Sequence, residues 1–112
     1  MCMINKKDII EMNKQFDKGR FINEASLDFA FSNLEQTKDW LKESAYLTRA
    51  ILIDHVFEEG NKRTTALLIR SILETKKLAY DPQKINALVI IILKKNINKV
   101  NEIKRLIKDA IR

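Results

Sequence analysis

Only two glycines and one proline occur in 112 residues, and that scarcity constrains this chain more than any other feature. Sandwiches and barrels reverse direction roughly every 8–12 residues and draw on glycine and proline to do so. Here Gly19, Gly60 and Pro82 stand far apart, and the stretches between them place apolar residues at helical spacing. Hydrophobic residues make up 46% of the chain, so a core is available without metal or disulfides. A chain of this length buries roughly two thirds of its unfolded surface. The expectation is an all-α fold: a single domain over 1–112, built as a bundle of five to seven helices, with a short flap loop or hairpin near the N-terminus.

Taken in order, Asp8 to Phe16 reads as a first helix with Asp8 as N-cap, ending at the turn Asp17-Lys18-Gly19-Arg20. Phe21-Ile22-Asn23 is extended in character and precedes a second helix capped by Asn23 or Ser26. In that helix Leu27, Phe29, Ala30, Phe31 and Leu34 are crowded enough to predict burial on more than one side. Thr37 is expected to cap a long third helix that carries Trp40 to Leu52 and delivers His55 at its end. A fourth runs from Thr65 to Lys77. Asp81-Pro82 is a helix start with proline at its first position. Leu88 to Leu93 has the composition of a buried strand, but helical flanks and the lack of a partner strand make it the central buried helix. Asn98 opens the last helix, striped by Val100, Ile103, Leu106, Ile107 and Ala110.

The net charge of +6 is unevenly placed. Residues 1–60 hold 8 Lys/Arg against 11 Asp/Glu, a balance of −3; residues 61–112 hold 13 against 4, a balance of +9. Such a basic half attracts nucleotides, nucleic acid or acidic protein. Nucleic acid is the disfavoured partner, because Tyr80 is the lone aromatic residue of that half and offers no stacking platform. Solvated helix faces account for much of this charge. Cys2 is the single cysteine, so no internal disulfide forms and a reducing, cytoplasmic setting is expected. No leader and no apolar run near 18 residues is evident, so neither a signal peptide nor a membrane span is expected.

The chemistry concentrates in His55-Val56-Phe57-Glu58-Glu59-Gly60-Asn61-Lys62-Arg63-Thr64-Thr65. It contains the only histidine, one of the two glycines, a pair of carboxylates and two adjacent cations, set in the joint between two helices. The first backbone N–H groups of the second helix and its positive dipole end face the same joint, which suits an anion such as phosphate. Gly60 lets backbone approach the anion closely, Asn61 caps or donates, and Thr64 is a further candidate ligand. Arg63 can grip a polyphosphate through two parallel hydrogen bonds, and Lys62 adds a mobile point charge. Phe57 is expected to be a core anchor.

This stretch resembles the signature of the Fic/Doc family, H-x-F-x-[D/E]-[G/A]-N-[G/K]-R. His55, Phe57, Glu59, Gly60, Asn61 and Arg63 match it, over about a tenth of the chain. Lys62 stands where the AMP-transferring branch has a second glycine, and Ala66 where that branch has a second arginine. Both departures, and Val56 in place of proline, are similar to the Doc (death-on-curing) toxin branch.

The resemblance implies a helical Fic/Doc fold and an ATP-dependent enzyme. It makes His55 the general base toward a target hydroxyl and Glu59 the Mg2+-binding acid. Gly60 to Arg63 become the phosphate cradle, and Gly19, Arg20, Phe21 and Ile22 the flap that aligns the target. The Doc branch transfers the γ-phosphate rather than AMP, and its target is a threonine of a translation elongation factor. No internal Ser/Thr-x-x-x-Glu-Gly/Asn inhibitory pattern is found, so regulation by an antitoxin in trans is implied. The alternatives are AMP transfer and a non-catalytic basic binding module.

Overall fold

The structure, a computed structural model, describes residues 4–112, and Cys2 lies outside that range. Six α-helices occur among the described residues: α1 (Lys6–Lys14), α2 (Glu24–Leu34), α3 (Trp40–Leu52), α4 (Asn61–Thr75), α5 (Pro82–Lys94) and α6 (Val100–Asp109). Extended structure among them is confined to two isolated antiparallel bridges, Phe21 with Phe57 and Tyr80 with Ile111. The fold is therefore all-α, with a helix count inside the expected range. None of these helices is long and apolar enough to cross a membrane.

The central element is α3. It packs against α2, α4, α5 and α6, and eight of its 13 residues are buried. On one side of it Ile9, Leu27, Leu47, Ile51, Val56, Phe57 and Leu68 form a cluster that joins α1 and α2 to the start of the molecule's second half. On the other, Leu52, Ile69, Leu73, Ile85, Val89, Ile92, Ile103 and Ile107 unite α4, α5 and α6.

The central position expected for Leu88 to Leu93 is thus corrected. That segment is helical, but Ile90 and Ile91 are 59% and 38% exposed while Leu88, Val89 and Ile92 are buried. Neighbours cover a single face of α5, so its apolar run is wider than its buried stripe. The same reasoning corrects α2: Leu27, Ala30 and Leu34 are buried at helical spacing, whereas Phe29 is 61% exposed.

Most helix starts differ by a few residues from expectation. Asn5 caps α1 by accepting from the Asp8 amide, and Asp8 returns a bond to the Asn5 amide; Asp8 is the third helical residue of a capping box, not the cap. Asp39, not Thr37, caps α3, its Oδ1 accepting from the amides of Leu41 and Lys42, while Thr37 Oγ1 accepts from the Asp39 amide. Asp39 also pairs with Lys104 of α6, and that bond holds its carboxyl below the ordinary carboxylate range. The last helix follows Lys99 rather than Asn98. Asp81 caps α5 with Pro82 next to it, as expected.

Two helices, α4 and α5, end on a left-handed residue that is not glycine. Lys77 and Asn96 adopt left-handed backbone (φ 59° and 50°). Each closes its helix with paired bonds, Leu78 to Leu73 with Lys77 to Glu74, and Ile97 to Ile92 with Asn96 to Leu93. With glycine so scarce, ordinary side chains occupy the left-handed positions that usually favour it.

Candidate active site

The local sequence at the joint explains its shape. Helix α3 stops at Leu52, and His55 follows in left-handed backbone, φ 51°. Such a conformation is uncommon for a residue with a Cβ and costs about 1–2 kcal/mol. Beyond it Val56 and Phe57 turn fully into the core, leaving His55 exposed. His55 is therefore carried on the turn after α3, not at the helix end as expected.

Phe57 anchors the turn from below. It stacks on Phe21 with ring centroids 5.1 Å apart. Asn61 holds its backbone at both ends: Nδ2 donates to the Phe57 carbonyl at 2.9 Å, and Oδ1 accepts from the Phe57 amide at 3.1 Å. Asn61 is the first residue of α4, and Gly60 before it is the cap, at φ 79°. A Cβ on Gly60 would stand 3.1 Å from Asn13 Nδ2, so both the left-handed backbone and the space select glycine.

Helix α4 begins four residues before the expected Thr65, so Asn61, Lys62 and Arg63 form its first turn rather than a loop. No side chain caps this helix. Its first amides, which lack partners inside a helix, meet the cations of Lys62 and Arg63 at one end of a 15-residue dipole.

His55, Glu59, Gly60, Asn61, Lys62 and Arg63 line one cleft of about 580 Å³, with Phe16, Leu52 and Leu93 as its apolar wall. The side chains of His55, Glu59, Lys62 and Arg63 are all exposed. A base, a carboxylate and two cations therefore share one solvent-open space with the start of a helix. That arrangement can hold a polyanion beside a proton acceptor. Glu58 is exposed and does not line the cleft.

Thr64 lies elsewhere. It is fully buried, and its Oγ1 accepts from Asn13 Nδ2 at 3.0 Å. The flap residues Gly19 to Ile22 run beside the motif instead of lining the cleft. The Ile22 and Asn23 amides donate to the Val56 carbonyl, and the Glu58 amide donates to the Arg20 carbonyl. The inner edge of the flap is thus bonded to the motif's own backbone, while the Ile22 side chain is 63% exposed.

Two residues that the motif does not contain complete the site. Asn13 of α1 is fully buried; its Nδ2 donates to the Glu59 carbonyl at 2.9 Å as well as to Thr64, and its Oδ1 accepts from the Gly19 amide at 2.8 Å. One amide side chain thereby ties the flap to the motif turn. Its sequence signal was a polar residue at the i+4 position from Ile9, inside an apolar stripe. The second is Arg70, one helical turn beyond Ala66. It lines an adjoining cavity of about 380 Å³ together with Lys62, Arg63, Ala66 and Phe16. Among the described residues no group of three or more His, Cys, Asp or Glu could hold a metal ion by itself.

No family model matches this chain, and no curated protein or solved structure shows significant similarity to it.

Proposed function

We propose that this protein is a Doc-like phosphotransferase that moves the γ-phosphate of ATP to a hydroxyl of a partner protein. The observation that carries this reading is the cleft in which His55, Glu59, Lys62 and Arg63 meet the uncapped start of α4. The motif resemblance supplies the reaction class. The hydroxyl oxygen attacks the γ-phosphorus, the bond from that phosphorus to the β,γ-bridging oxygen breaks, and ADP leaves. The hydroxyl proton passes to the His55 imidazole. Lys62, Arg63 and the first amides of α4 offset charge on the transferring group, since positioning and charge neutralisation are most of what phosphoryl transfer requires.

Glu59 is the one exposed carboxylate on the cleft, which suits Mg2+ bound chiefly by phosphate oxygens and water rather than by a protein cage. Bound there, the ion would neutralise phosphate charge. Thr64, being buried against Asn13, is left out of the cradle in this reading. A flap that aligns a target would use its outward edge, since the inner edge is bonded to Val56 and Glu58. By the same resemblance the target is a threonine of a translation elongation factor, and an antitoxin in trans restrains the enzyme in the cytoplasm.

Lys62 and Ala66 favour phosphoryl transfer over AMP transfer. The lysine fills and charges the place of a second glycine, and Ala66 removes a second arginine. The test is incubation with ATP labelled at the α or the γ position, Mg2+ and a bacterial-type elongation factor. Label arriving from the γ position is expected, and His55→Ala should lower its transfer about 10²–10⁴-fold. An undiminished rate in that variant would remove His55 from the chemistry. Label arriving from the α position would mean AMP transfer, and neither label would favour a non-catalytic binding module. Lys62→Gly should move the reaction toward AMP transfer; continued clean phosphorylation would count against the role given to Lys62.

A further inference from the structure

An open groove of about 780 Å³ lies away from His55, where α2, α3 and α6 meet. Its charge is one-sided. Lys42 and Arg49 from α3, Lys99 at the start of α6 and Arg105 in its middle line it against the single carboxylate of Glu102. Two aromatic side chains stand among these cations. Phe29 of α2 is 61% exposed, a large apolar ring left in water although α2 has a buried face available. Tyr46 of α3 carries the Arg49 guanidinium over its ring, 5.4 Å from the centroid. The remaining lining is rich in amides, from Asn33, Asn98 and Asn101.

We propose that this groove binds a single-stranded polynucleotide, with phosphates against the four cations and bases stacked on Phe29 and on the Tyr46–Arg49 pair. Non-sequence-specific single-strand sites combine a cationic track with exposed aromatic faces, because every base has a face to stack. The amides argue for nucleotide over acidic peptide. Carboxylates need donors only, which lysine and arginine already provide, whereas base edges present both donors and acceptors, as asparagine does. The basic second half of the chain has no stacking aromatic near these cations. The fold brings two from the first half to it. This inference does not depend on the transferase reading, since none of these residues lines the His55 cleft.

The experiment is fluorescence anisotropy of the full-length protein with fluorescein-labelled ten-residue oligo-uridine and oligo-deoxythymidine, over a salt series. Binding should weaken with salt, and Lys99→Gln and Arg105→Gln should each make the slope of log K against log salt shallower by about 0.7. Phe29→Ala should weaken binding about 5- to 150-fold while leaving that slope unchanged. These three side chains are exposed, so circular dichroism of the variants should match the parent. The tighter of the two oligonucleotides identifies RNA or DNA as the natural ligand. The proposal is overturned by no binding at low salt, by an unaffected Phe29→Ala variant, by equal affinity for duplex of the same length, or by poly-glutamate competing as well as an oligonucleotide of equal charge. The last result would assign the groove to an acidic protein.

Discussion

Helices α4 and α5 start in opposite ways. At α5, Asp81 accepts from the Gln83 amide and Pro82 follows, so one of the free donors is bonded and another is absent by chemistry. At α4, Gly60 caps without a side chain, and two cations follow instead of an acid. A start built for stability alone would resemble α5, because a side-chain cap stabilises a helix by about 1 kcal/mol. Helices α2 and α6 also start without a side-chain cap; of these three bare starts, that of α4 opens onto the cleft with His55. Its support comes from elsewhere: Asn61 clamps Phe57, and Asn13 holds the Glu59 carbonyl. The loop is fixed from behind, while the first amides of α4 keep no side-chain cap.

That contrast can be broken most severely at Asn13. Asn13→Ala removes three hydrogen bonds from a buried position and leaves the Gly19 amide and the Thr64 hydroxyl without this partner. A loss of about 2–4 kcal/mol is expected in denaturant unfolding, together with lost exchange protection at Gly19. A variant as stable as the parent would mean that the turn is held by Phe57 and Asn61 alone. Gly60→Ala comes next. It forces a Cβ into left-handed backbone and close to Asn13, for an expected loss of about 1–3 kcal/mol. No change in stability there would contradict the glycine requirement.

Smaller effects belong to the capped starts. Asp81→Ala should cost about 1 kcal/mol and leave the His55 cleft unaltered. Asp39→Asn sharpens the comparison through pH. The folded Asp39 carboxyl titrates below its ordinary value, chiefly through its bond to Lys104. Its contribution is therefore complete above the unfolded pKa and is lost as pH falls from about 4 through the folded pKa. The parent should lose more stability than Asp39→Asn across that acid range. Parallel curves would show that the Asp39–Lys104 pair adds nothing measurable, the usual result for pairs exposed to this degree.

How far the sequence could be read follows from the range of the interactions involved. Helix periodicity is local, and so is the Asp81-Pro82 start; both were legible. Caps at Asn5, Asp39 and Lys99 slipped by one to three residues. Several Asx and Thr side chains compete near each helix start, and only the backbone geometry selects among them. The burial of Leu88 to Leu93 was overestimated because composition reports apolarity, not which faces neighbours cover. Within the motif, spacing alone set His55, Glu59, Lys62 and Arg63 on a short path, and the structure gathers those four around one cleft. Thr64 belongs to the same run, yet one turn of α4 rotates it into the interior.

By itself the sequence determined that this chain is helical, where α5 begins, and that a base, an acid and two cations lie close together. Only the tertiary structure decided that Asn13 braces the turn from 46 residues away, and that Phe29 and Tyr46 stand among cations of α6. The reason is physical: hydrogen-bonded periodicity is written into neighbours along the chain. Which distant side chains share a cavity depends on how whole helices pack.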